Sequence, residues 1–192
     1  MLLRSALLVT LCLALFSTQG QDLAQTLENN INDLRKEKID SVIHFIPPAG
    51  TGPKQEQAGF IFYQRNRRLV AKKITTRSVS KEIVLKDDSL FDWLRKNVNT
   101  LKEEDIHPFI WQTTGRGGGW YEYIKPPLEE GSYTLGLYGQ EGFSQLINPW
   151  ECRQYAYNAP DAPVNLNYSY NTGTRLYAFY CRLKRDAESI GD

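Results

Sequence analysis

The chain is poor in the residues from which most active sites are built. It has two histidines, His44 and His107, and three cysteines among 192 residues. If two of those cysteines bond each other, no zinc site of three or more His/Cys ligands can be assembled, so no metal is expected. Nucleophile signatures are also missing: there is no Gly-x-Ser-x-Gly, no His-Glu-x-x-His and no His-x-Glu with a following Cys-x-x-Cys. Nothing calls for a cofactor. An excess of one charge is lacking as well. Lysine plus arginine number 23 against 22 acids, so no global field draws the chain to nucleic acid or to a membrane surface. No internal repeat or low-complexity tract occurs.

Long apolar runs are confined to the beginning. Arg4 precedes an apolar stretch from Ala6 to Phe16, and Thr18 and Gly20 supply small residues at −3 and −1 of a cleavage site. This is the pattern of a secretory signal peptide over residues 1–20, because a bilayer span needs about 20 apolar residues. Cleavage would start the chain at Gln21 and make it secreted and extracellular. Cys12 and Arg4 leave with the signal, so the remainder is formally neutral, with 22 cations and 22 acids. Only Cys152 and Cys181 remain. In an oxidising compartment they are expected to form one disulfide, worth roughly 3–4 kcal/mol for a loop of about 30 residues. Asn167-Tyr168-Ser169 is the single glycosylation sequon.

Periodicity divides the rest. Leu23, Leu27, Ile31 and Leu34 recur at helical spacing, which predicts an N-terminal amphipathic helix within residues 21–40. Strands are predicted at 41–46, 58–63, 69–76 and 79–85, and a second helix at 89–101 with Leu90, Leu94, Val98 and Leu101 as its stripe. Beyond Ile106 strands are predicted at 106–113, 120–124, 132–138, 151–157, 164–170 and 175–183, and residues 186–192 as a frayed tail. The expected fold is α+β: an N-terminal helix and one central helix packed on a mostly antiparallel sheet, in a single domain over 41–185 with a single disulfide.

What is abundant is aromatic. Sixteen of the 22 aromatics that follow the signal lie between Phe109 and Cys181, so a binding face is sought there. Trp111, Trp120, Tyr121 and Tyr123 are the candidate ligand contacts, because indole and phenol offer apolar faces with a hydrogen-bonding edge suited to sugars and proteins. Arg116 joins them from the loop Thr114–Gly119, whose consecutive glycines can converge N–H groups on an anion. A basic cluster of Arg65, Arg67, Arg68, Lys72, Lys73 and Arg77 is a candidate polyanion surface. Arg65-Asn66-Arg67-Arg68 also has the form of a furin-type processing site, although Leu69 onward reads as the second strand of a hairpin.

The leading expectation is a secreted, non-enzymatic binding or extracellular-matrix-type protein whose aromatic β face takes a carbohydrate or protein ligand. The alternative is a small secreted hydrolase. It would be a nuclease with His44 and His107 as acid and base, or a glycosidase pairing carboxylates such as Glu122, Glu129, Glu130 and Glu141. A toxin or defence effector is a third reading.

Overall fold

The computed structural model describes residues 23–48, 57–115, 118–127, 131–139 and 142–190. The proposed signal peptide and Arg116 lie outside the described residues, as do Glu129, Glu130 and Glu141. Four α-helices and a six-stranded antiparallel sheet make an α+β fold.

Helix α1 covers residues 23–36. Strands β1 (Val42–Ile46), β2 (Ala58–Arg65), β3 (Arg68–Thr75) and β4 (Ile83–Val84) follow, then α2 (Leu90–Glu103). A separate two-stranded ribbon consists of β5 (Ile110–Gly115) and β6 (Gly118–Tyr123). The main sheet is completed by β7 (Tyr133–Tyr138) and β8 (Phe143–Ile147). A 3-10 turn at Pro149–Cys152 leads to α3 (Tyr168–Gly173) and α4 (Arg175–Glu188). The strand order is β4-β3-β2-β1-β7-β8, so β1 lies inside and pairs with β2 on one side and β7 on the other.

Strand alternation sorts the apolar residues into two cores. Val42, Ile61, Tyr63, Val70 and Ile74 meet the α1 stripe of Leu23, Leu27, Ile31 and Leu34. The opposite face, with Ile43, Phe45, Phe60, Phe62, Leu135 and Leu137, is covered by α2 and α4. The molecule is therefore three layers, helix over sheet over helices. Gly136 is fixed by this packing. A Cβ there would stand 2.3 Å from the Phe143 carbonyl oxygen and 2.5 Å from the His44 ring, so no side chain fits.

The C-terminal third departs from the sequence expectation. Residues 175–183, read as a strand, belong to α4. Leu176, Phe179, Tyr180, Leu183 and Ala187 recur every three or four residues and are buried. The Thr174 hydroxyl accepts the Tyr177 N–H at 3.0 Å and starts the helix. Residues 164–170 are a bridge, a turn and the start of α3, and 151–157 is the 3-10 turn followed by an irregular loop. Within the expected frayed tail, residues 186–190 are docked instead, since Asp186, Ala187 and Ile190 are buried, and residues 191–192 lie outside the described residues. The expected disulfide is not formed: Cys152 is a buried free thiol on the 3-10 turn, and Cys181 an exposed one on α4. They tie no strands together, because neither lies on a strand.

Candidate functional site

The aromatic ribbon stands apart from the main sheet and has its own small core. Phe109, Trp150 and Ala156 are buried there, with Trp111 and Ile124 packed against them. Cross-strand register decides which residues share a face. Trp111 pairs with Glu122 and Thr113 with Trp120, so these four occupy the face whose base rests on the small core. Gln112 pairs with Tyr121 and Ile110 with Tyr123, on the opposite, outward face. The four candidate aromatics thus form two pairs back to back, not one row. Trp111 is half-buried, whereas Trp120 and Tyr123 are each 49% exposed and Tyr121 69%. The Trp120 indole N–H donates to Glu122 Oε1 at 2.6 Å, which satisfies its polar edge and leaves its ring faces open.

Two buried asparagines organise the loops beneath the ribbon, and Asn171 ties them to the segment that leads into β5. Asn171, fully buried, accepts the His107 N–H at 2.9 Å, and its amide donates to the His107 carbonyl at 2.8 Å and the Glu151 carbonyl at 2.7 Å. Asn165 donates to the Glu151 and Arg153 carbonyls at 2.8 and 3.1 Å and accepts the Asn167 N–H at 3.0 Å. The Leu166 N–H reaches Ile110 on the ribbon at 2.8 Å. Of twelve large apolar or aromatic side chains exposed among the described residues, eight belong to the ribbon or to residues 155–170. Tyr155, Tyr157 and Tyr170 are among them. Exposed apolar and aromatic side chains are thus concentrated at this end of the molecule among the described residues.

The other sequence candidates scatter. His44 points to the α1 side of the sheet and is 5% exposed. Its ring lies 4.9 Å from that of Tyr138, and Nδ1 is buried with no hydrogen-bond partner. Burial lowers its pKa to about 4, so it stays neutral at physiological pH. His107 is exposed on the α2–β5 connection and stacks on Tyr170 at 4.2 Å. The two histidines contact different elements. Burial, followed by the Glu151 and Cys181 charges, pushes the Cys152 thiol up to about 12, which removes it as a thiolate nucleophile. Burial also raises the Glu151 carboxyl above the ordinary carboxylate range.

The basic cluster is divided by the β2–β3 hairpin. Arg65 is ion-paired with both Glu37 and Glu82, and Lys72 lies 3.5 Å from Glu82. Lys73 is on the opposite sheet face, since Ile61 pairs with Lys72 and Phe60 with Lys73. Arg67, Arg68 and Arg77 are exposed. The furin-type tetrapeptide is the hairpin turn itself: Asn66 and Arg67 have φ of 51° and 65°, and Arg65 pairs with Arg68. A protease that reads an extended segment must first open that turn. Asn167 is half-buried at the start of α3 and donates to the Pro108 carbonyl at 2.9 Å.

Among the described residues no group of three His, Cys, Asp or Glu is arranged to hold a metal ion, and no helix is long and apolar enough to cross a membrane. A 720 Å³ cavity opens between α2 and the ends of β1 and β7. Its arginines are engaged locally, Arg95 with Asp92 and Arg35 over the Tyr138 ring. No protein-family model, curated protein or solved structure matches the chain.

Proposed function

We propose that the protein is a secreted, non-enzymatic binding protein, and that its ligand, a carbohydrate or another extracellular protein, is met by the aromatic ribbon and the loop at its base. The observation that carries this reading is the exposure of Trp120, Tyr121 and Tyr123 on a two-stranded ribbon outside the main sheet. Isolated ribbons are marginal in water, and large exposed rings gain nothing until something covers them. A binding role accounts for both. The hydrolase alternative gains no support from the histidines, which contact different elements, or from Glu122, whose carboxylate is held by Trp120.

The test is binding of residues 21–192 to arrays of glycans and of extracellular proteins, with a Trp120→Ala/Tyr121→Ala/Tyr123→Ala variant alongside. Each ring is worth about 1–2 kcal/mol at a desolvated contact, and a ligand on the outward face covers Tyr121 and Tyr123 together, so the triple variant should weaken binding by at least about 30-fold. Unchanged binding, or turnover of the captured glycan, overturns the reading.

A further inference from the structure

Beside the ribbon, residues 152–158 and the start of the C-terminal helices enclose a second surface. It is an open groove of 540 Å³ lined by Tyr155, Tyr157, Tyr168 and Tyr177, with Gln154 and Asn158 between them. We infer that this groove binds an uncharged oligosaccharide, with Tyr155 and Tyr157 as its stacking platforms. The inference rests on the binding reading above and assigns part of it to a site the ribbon does not contain.

The groove is built, not incidental. Its outer wall is held from behind: Ala156 is buried in the small core, and its N–H bonds the Pro163 carbonyl at 3.1 Å. The Asn165 N–H bonds the Gln154 carbonyl at 2.9 Å, and Tyr155 bridges Val164. With the residue between them anchored inward, the two tyrosines face outward, 48% and 54% exposed. A fixed backbone means their exposure is the resting arrangement.

Charge selects the ligand. The only ionised side chain in the lining is Arg153, and its guanidinium is stacked 5.1 Å over the Trp150 ring. No carboxylate lines the groove. An acidic or sulfated ligand would find no uncommitted cation, and a basic peptide no anion. The Gln154 and Asn158 amides are exposed, and among the described residues their side chains make no hydrogen bond. Each offers donors and an acceptor at once, which matches the vicinal hydroxyls of a sugar. Tyr177, whose phenol is pushed up to about 12 chiefly by burial and also by its neighbour Cys181, stays protonated and adds no charge to the lining. Aromatic faces interleaved with neutral donors and acceptors are the chemistry of a saccharide site.

Calorimetric titration of residues 21–192 with neutral hexamers of glucose and of N-acetylglucosamine tests this. A heparin hexamer and a proline decapeptide serve as the charged and peptide arms. At least one neutral hexamer should bind, and Tyr155→Ala/Tyr157→Ala should weaken it at least 10-fold with an unchanged Tm. Tyr155→Phe/Tyr157→Phe should retain binding, because the ring faces remain. The inference is overturned if only heparin or the proline peptide binds, or if no neutral hexamer binds at 10 mM. It is also overturned if the tyrosine variant binds as well as the parent. Loss of hexamer binding in the Trp120→Ala/Tyr121→Ala/Tyr123→Ala variant with no loss in Tyr155→Ala/Tyr157→Ala would sink the groove and leave the ribbon reading standing. Loss of every array ligand would sink both.

Discussion

His44 shows how one buried side chain writes a pH dependence into the whole fold. Its imidazole is neutral and unpartnered on the α1 side of the sheet, so charging it means taking an unpaired cation out of water. The folded-state pKa, about 4, lies below the ordinary 6.5. Between those values the unfolded chain binds more protons, so the contribution is complete above pH 6.5 and is lost as pH falls toward 4. The window corresponds to about 3 kcal/mol. Urea unfolding from pH 7 to pH 4.5 should therefore show a steeper loss of stability for the parent than for His44→Leu. Parallel slopes would mean that burial of the ring is not the cause. The same residue explains Gly136, whose missing side chain is the space the imidazole edge occupies.

At the scale of elements, the β2–β3 turn carries an avoidable cost. Arg67 sits at φ 65°, a left-handed conformation that glycine adopts freely and an L side chain adopts at about 1 kcal/mol. Asn-Gly is the favoured pair for this two-residue turn. Arg67→Gly should raise stability by about 0.5–1 kcal/mol in thermal or urea unfolding. A loss would show that Arg67 makes a contact worth more than the strain. Elements whose apolar residues hold a strict period were legible in the sequence: the α1 stripe, the α2 stripe and the β2–β3 hairpin all lie where their spacing puts them. Helix α4 was not, because Tyr177, Phe179 and Tyr180 favour strands individually, and only their spacing with Leu183 and Ala187 marks a helix. Strand β8 carries little signal in the sequence, being a five-residue segment bounded by Gly142 and Asn148. The ribbon aromatics were visible, but their division into two faces depends on register. The tyrosine groove was hidden, since residues 151–157 read as a strand.

For the molecule as a whole, Asn171 on α3 ties together the α2–β5 connection and the 3-10 turn. Asn171 alone serves three backbone groups, the His107 N–H and the carbonyls of His107 and Glu151. Asn171→Ala would leave the His107 N–H and carbonyl unpaired, at about 1–3 kcal/mol for each group that water cannot reach, while the Glu151 carbonyl keeps its Asn165 donor. Hydrogen exchange should then accelerate across residues 107–124 and 149–171, while β1–β3 retain their protection. Uniform acceleration over both regions would show that the two ends are one cooperative unit.

The inside position of β1 has a consequence in time. One edge of β1 pairs with β2, the next strand in the chain, but the other pairs Val42 with Tyr138. During synthesis, α1 and β1–β4 can assemble long before β7 exists. At about 5–20 residues per second the open edge of β1 waits on the order of several seconds for its second neighbour. Throughout that interval it offers unpaired N–H and C=O groups to any passing strand. The nascent half-sheet is thus the stage at which a chaperone matters most to this chain.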